Sequence, residues 1–275
     1  MNFNKKDAIK FLGIPEKNFN NYFNFSKEIV GQKVKGRWVF LKENLEKWQS
    51  LKNSRTLLLD RIEYEKCFEF AIKMAYGGLS LHGIRGERTE VQAADDVILG
   101  ILAEHAVKNF LEDNFNFKNY LDEEVHPTEI TPQDIDFIDE KGSKRKPKLR
   151  IGIKASKIKS GYLVLGSKEV ELESRVSDVY IFVRVGLPGD HLFRILRDHS
   201  FFAKVKNFLD SNDKFKKIEK LEKIPVWVCG YVYKKDLEKV KEIPGQSFDK
   251  GHRYVKSVAK LKNTDDDWKK LINLL

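Results

Sequence analysis

Residues 134–159 read DIDFIDEKGSKRKPKLRIGIKASKIK, two short runs of alternating apolar character, 135–138 and 149–153, joined by a stretch rich in Lys, Arg and Gly. Alternation with a period of two sends successive side chains to opposite faces of a strand, so the pattern predicts a β-hairpin. Asp134, Asp136 and Ile138 then share one face of the first strand, and Arg150, Gly152 and Lys154 share one face of the second. Two carboxylates thus sit across from a lysine. Carboxylates on neighbouring strand ends hold a hard divalent cation, and a nearby ammonium stabilises charge or helps activate a water. Phosphodiester hydrolysis needs those parts. A solvated hairpin of a basic protein has the same local pattern, and context must separate the two.

The chain has 275 residues, of which 41% are apolar, enough for one large or two small domains with a buried core. No apolar run approaches the roughly 20 residues of a membrane span. The opening MNFNKKDAIKFLG holds no secretory apolar block. Both features predict a soluble, cytoplasmic protein with no membrane partner. Cys67 and Cys229 are far apart and lack CxxC spacing, so neither a disulfide scaffold nor a zinc site is supported. The net charge of +10 points toward polyanions, because a basic surface gains affinity by displacing phosphate counterions. Lys141, Lys144, Arg145, Lys146 and Lys148 concentrate at the hairpin tip, beside the expected metal site.

Asp136 followed by Lys154 on the next strand resembles the core of the PD-(D/E)XK nucleases, where an Asp opens one strand and an acidic-X-Lys triplet lies on the next. By that resemblance Asp136 is the first Asp, with Asp134 in reserve one strand period away, and Lys154 is the Lys. Ala155 and Ser156 after it also look like the family. Gly152 departs from the pattern: it stands at the acidic position two before the lysine and offers a metal no side chain. Some restriction enzymes of this superfamily have a Ser there and supply the acid from the following helix or strand. Glu169, Glu171 or Glu173 would take that part here. The family's helix before the hairpin often adds a Glu. Residues 95–111 read as a helix with Val97, Ile101, Glu104 and Leu111 on one stripe, where a carboxylate costs free energy unless paired or metal-bound. Glu104 is therefore the candidate, unless it is an edge position satisfied by Lys108. The metal set implied is Asp136, Glu104 and Glu169, holding Mg²⁺.

Upstream, residues 5–12 (KKDAIKFL) and 16–23 read as short helices about a turn at Gly13-Ile14-Pro15, which is helix-turn-helix spacing. GQKVKGRWVFL reads as a small hairpin turning at Lys35-Gly36, followed by an amphipathic helix over 42–51 with Leu45 and Trp48 on one face. The run GRWVFLKENLEKW resembles the end of MerR/excisionase-type winged domains. That resemblance puts Lys17, Asn18, Asn20 and Asn21 on a helix that enters the DNA major groove, and Lys33, Lys35 and Arg37 on a wing that grips phosphates. A module that packs on the rest of the chain or binds protein is the alternative.

Residues 52–56 (KNSRT) read as a linker, dividing the chain into a winged helix-turn-helix domain at 1–52 and a nuclease-like domain at 53–275. Residues 57–76 read as a long helix. The Gly-rich segment 77–91 has neither period, and its Arg85 and Arg88 suit guanine edges or phosphates. Residues 162–165 and 170–172 are strand-like, and DVYIFVRV at 178–185 has the continuous apolar character of a buried central strand. Residues 187–196 and 201–210 read as helices, the Lys-rich tract 214–223 as a solvated helix face, and 226–233 as a last long strand. A final helix from 266 onward is docked by Trp268 and Leu271. The expected fold is α/β (α+β): a mixed central β-sheet flanked by helices, restriction-endonuclease-like, preceded by the small winged module.

The two resemblances lie in different parts of the chain and imply one ligand, double-stranded DNA. They predict a sequence-specific, Mg²⁺-dependent endonuclease similar to type II restriction enzymes, working as a homodimer or beside a second nuclease subunit. Gly152 keeps open an inactive or partner-dependent specificity subunit or regulator.

Overall fold

A computed structural model describes residues 1–77, 89–122, 133–248 and 251–275. Strand β1 (Asn2–Phe3) leads to Asn4, whose side chain accepts the Asp7 N–H at 3.1 Å and starts helix α1 (Lys5–Leu12). Gly13 ends that helix in the left-handed region, at φ 63°. Helix α2 (Glu16–Asn20) runs into a π-helical turn at residues 21–25. Strands β2 (Gln32–Val34) and β3 (Arg37–Leu41) meet across Lys35 and Gly36, whose φ values of 47° and 78° are those a two-residue hairpin turn requires. Helix α3 (Lys42–Ser54) then runs into the expected linker. Arg55 behind it is buried and donates to the Asn263 carbonyl at 3.2 Å and to Asp265, so KNSRT is part of the packed structure.

Strand β4 (Thr56–Asp60) corrects the start of the long helix expected at 57–76, and helix α4 (Arg61–Gly77) begins only after it. Leucines suit either state locally. Pairing with a sheet strand decides it, with Leu57 opposite Val226 and Leu59 opposite Ile224. Helix α5 (Glu90–Phe115) opens with a capping box in which Thr89 and Gln92 exchange hydrogen bonds at 3.3 and 3.0 Å. Its buried line is Ala94, Ile98, Leu102, Ala106 and Phe110. Of the expected stripe, Leu111 is buried, while Val97, Ile101 and Glu104 lie on a half-buried shoulder.

Strands β5 (Asn119–Leu121), β6 (Ile135–Glu140) and β7 (Ser143–Arg145) make one sheet, and Lys141 and Gly142 (φ 56° and 86°) turn the chain between β6 and β7. The hairpin expected between 135–138 and 149–153 is therefore corrected. β6 closes on β7, and strand β8 (Ile151–Lys157) joins another sheet. Strand β9 (Tyr162–Leu165) follows, then helix α6 (Ser167–Glu171) where 170–172 had looked strand-like. The Gly166 N–H donates to Glu169 Oε2 at 2.8 Å and closes that helix start.

Strand β10 (Val179–Val185) is buried at every residue. Helices α7 (His191–Leu196) and α8 (Ala203–Asp210) come next, after which 211–222 forms no helix and the lysine tract is exposed loop. Strands β11 (Lys223–Tyr233), β12 (Glu238–Val240), β13 (Glu242–Ile243), β14 (Gln246–Ser247) and β15 (Arg253–Ser257) precede helix α9 (Asp265–Leu274), which buries Trp268 and Leu271.

The fold is mixed α/β. Its central sheet runs β4-β11-β10-β8, with β8 parallel to β10 and the other pairs antiparallel. Alternation along β10 serves two cores. Val179, Ile181, Val183 and Val185 face the core that α5 covers, while Tyr180 and Phe182 face one shared with Phe19, Phe40 and Trp48. The boundary expected at 52 falls inside α3, and the two regions are joined through that second core. β8 is left at the sheet edge. No helix among the described residues is long and apolar enough to cross a membrane.

Candidate functional site

The open edge of β8 is where the candidate residues meet. The Asp134 N–H donates to the Ile151 carbonyl at 2.9 Å, and the Asp134 carboxylate accepts the Ile153 N–H. The side chain thus satisfies a donor on the side of β8 where no strand pairs among the described residues. Lys154 follows on β8 with its side chain 32% exposed, and its Nζ lies 3.6 Å from Glu169 Oε1 on α6. Opposite Tyr120 and Leu121, β6 carries a bulge, with Ile135 and Phe137 as the paired residues and Asp136 as the extra one. The bulge interrupts the alternation that put Asp134 and Asp136 on one face. It is Asp134, the reserve, that reaches β8.

Burial pushes the Asp134 carboxyl above the usual carboxylate range, against the pull of Lys154 and the Ile153 N–H; the charges of Glu169 and Asp122 push the same way as burial. Burial pulls Lys154 down, but the charges of Asp134 and Glu169, with Tyr180 and Glu104, more than offset it and hold the ammonium above its ordinary value. The site therefore couples a costly anion to a strongly held cation.

Glu104 and Asp122 line a cleft of about 530 Å³ between α4 and α5. Glu63, Lys66, Lys73 and Lys108 also line it, and His105 Nδ1 lies 2.7 Å from Glu63 Oε2. Asp122 and Tyr180 escaped the sequence reading. Asp122 precedes residues that carry no regular period, and Tyr180 looks like ordinary core in DVYIFVRV.

The other acids behave differently. Glu171 Oε1 accepts from Tyr254 at 2.8 Å and lies 3.1 Å from both Lys239 and His252, contacts that hold its carboxyl down at about 2. It belongs to that surface cluster and not to the Lys154 group. The Glu173 carbonyl accepts from Arg150 at 3.0 Å.

Of the residues expected to meet DNA, Lys17, Lys33, Lys35 and Arg37 are exposed and Asn18 is half-buried. The Asn21 amide donates to the Lys159 carbonyl at 2.7 Å, tying the π-helical turn to the loop behind β8. Asn20 is also half-buried, with its Oδ1 fully enclosed. Lys144 lies 3.9 Å over the Tyr120 ring and Lys146 6.0 Å over Phe137. Arg145 is structural, donating to Glu140 and, at 2.7 Å, to the Leu275 carbonyl. Arg85 and Arg88 lie outside the described residues.

No family model, curated protein or solved structure matches this chain. Among the described residues no three His, Cys, Asp or Glu side chains are grouped closely enough to hold a metal ion as they stand. The side chains are nonetheless of the type a hard cation takes: Asp134, Glu169, Glu104 and Asp122 all offer carboxylate oxygens, and a cation beside Asp134 would offset the desolvation of its anion.

Proposed function

We propose that this chain is a divalent-metal-dependent endonuclease that hydrolyses phosphodiester bonds of double-stranded DNA, with a restriction-endonuclease-like core and an N-terminal winged module for recognition. The observation that carries the reading is the Asp134–Lys154–Glu169 group at the edge of β8: a half-buried carboxylate bonded to the Ile153 N–H, beside a lysine that a second carboxylate meets at 3.6 Å.

Asp134, Glu169 and Glu104 would hold the cation. When bound, Mg²⁺ supplies Lewis-acid stabilisation of charge on the phosphate and a lowered pKa for the attacking water. One Asp134 oxygen is committed to the Ile153 N–H, which fixes the carboxylate and would leave the other oxygen for a cation. Lys154 is held protonated, so in the free protein it is no general base. Its N–H groups orient the water and meet the negative charge that builds on the phosphate oxygens. Exposed Lys17, Lys33, Lys35, Arg37, Lys144 and Lys146 supply backbone contacts in keeping with the +10 charge.

Incubation of the purified chain with Mg²⁺ and a large mixed-sequence DNA tests the reading. Discrete fragments that vanish with EDTA are expected. DNA that is bound yet never cut, in Mg²⁺ or Mn²⁺, would favour the specificity-subunit alternative instead.

A further inference from the structure

Gly152 stands where a metal-binding acid would be expected, and its surroundings leave a side chain there little room. A Cβ there would lie 2.6 Å from Ser177 Oγ and 3.3 Å from Tyr180 Cδ1. Tyr180 is the direct neighbour of Gly152 in the parallel ladder between β8 and β10, and it is fully buried. Its ring, together with Ser177, crowds the room that a longer residue 152 would need.

The Tyr180 hydroxyl is committed at both ends. It accepts the Ser177 N–H at 3.1 Å and donates to the Glu169 carbonyl at 3.0 Å. The bond runs from the most deeply buried strand of the sheet to a helix of only five residues. Glu169 is pinned on its other side, where Oε2 takes the Gly166 N–H at 2.8 Å, leaving Oε1 to approach Lys154 at 3.6 Å. So Tyr180, which with Ser177 crowds position 152, also anchors the acid that approaches Lys154 from α6.

We propose that Tyr180 is a positioning residue: its hydroxyl bond to the Glu169 backbone fixes α6 so that the Glu169 carboxylate serves the metal site in place of the acid that Gly152 cannot provide. The inference rests on the nuclease reading above and concerns how its second acid is held. Phenylalanine at 180 keeps the ring that fills the space beside Gly152 and removes only the two hydrogen bonds.

Mn²⁺ titration calorimetry on the full chain tests it, comparing wild type, Tyr180→Phe, Glu169→Gln and the double variant, with thermal unfolding as a check on folding. Tyr180→Phe is expected to weaken Mn²⁺ binding about 10-fold or more, the range for residues that orient a ligand from behind. In the Glu169→Gln background the same change is expected to add nothing, and cleavage by Tyr180→Phe should lose kcat at constant KM for DNA. Wild-type Mn²⁺ affinity in Tyr180→Phe, or an equal loss in both backgrounds, overturns the inference and leaves the site reading standing. A wild type that takes up no Mn²⁺ overturns both.

Discussion

Arg184, near the end of the buried strand β10, grips Glu28 with both terminal guanidinium nitrogens, at 3.0 and 2.8 Å, and their side chains are 0% and 4% exposed. The pair joins the N-terminal region to the central sheet. The guanidinium also lies 4.8 Å over the Trp227 ring, in a setting where an unpaired charge has no water to turn to.

Removing one partner is therefore worse than removing both. Arg184→Ala or Glu28→Ala is expected to cost about 3–5 kcal/mol in urea unfolding, whereas Arg184→Met with Glu28→Leu should recover most of the loss. If either single alanine variant unfolds within about 1 kcal/mol of wild type, the pair is not the clamp its burial implies.

At the site, Asp134→Ala and Lys154→Ala are expected to lower cleavage by at least about 100-fold each while DNA still binds. Asp136→Ala, in the β6 bulge, should stay within about 10-fold of wild type. Cleavage and gel-shift assays run side by side decide it, and the reverse order would restore Asp136 as the metal-binding acid.

Burial gives Asp134 a higher folded than unfolded pKa, so the stability tied to this group is fully present below the unfolded value near 3.8 and is lost as pH rises through the folded one. Asp134→Asn, uncharged and still able to accept the Ile153 N–H, is expected to melt about 2–4 °C above wild type at neutral pH, with the gap closing in acid. A variant that melts lower at neutral pH would mean that the Lys154 attraction outweighs burial.

Rebuilding an acid beside Lys154 should fail. Gly152→Asp drives its Cβ to 2.6 Å from Ser177 Oγ, and the overpacking is expected to cost about 1–3 kcal/mol without raising cleavage. Denaturant unfolding with a parallel cleavage assay checks both parts, and a stable, more active variant would show that Ser177 and Tyr180 yield easily.

The basic residues separate by what already holds them. Lys33, Lys35, Arg37, Lys144 and Lys146 changed together to Ala should weaken binding to every DNA sequence and flatten its salt dependence by about 0.9 log units per lost phosphate contact. Arg145→Ala should instead destabilise the fold, because its guanidinium bonds Glu140 and the Leu275 carbonyl. An unchanged salt slope in the first variant would leave those side chains as ordinary solvated surface.

What the sequence by itself determined is what neighbours along the chain decide. Gly13 stops α1 where a left-handed residue is needed, Lys35-Gly36 makes the tight turn, DVYIFVRV is buried throughout, and Trp268 and Leu271 dock the last helix. Each is a matter of backbone freedom or apolar period within a few residues. The site depended on partners far away. That β8 pairs in parallel with β10, and that Leu57 and Leu59 form a strand against β11, are choices among distant edges that no local period distinguishes. A one-residue bulge in β6 broke the shared face of Asp134 and Asp136, and so exchanged the acid that meets β8. Whether Gly152 was a vacancy or a necessity depended on Ser177 and Tyr180, about 25 positions on, because only the packed sheet brings their atoms into the space its side chain would take.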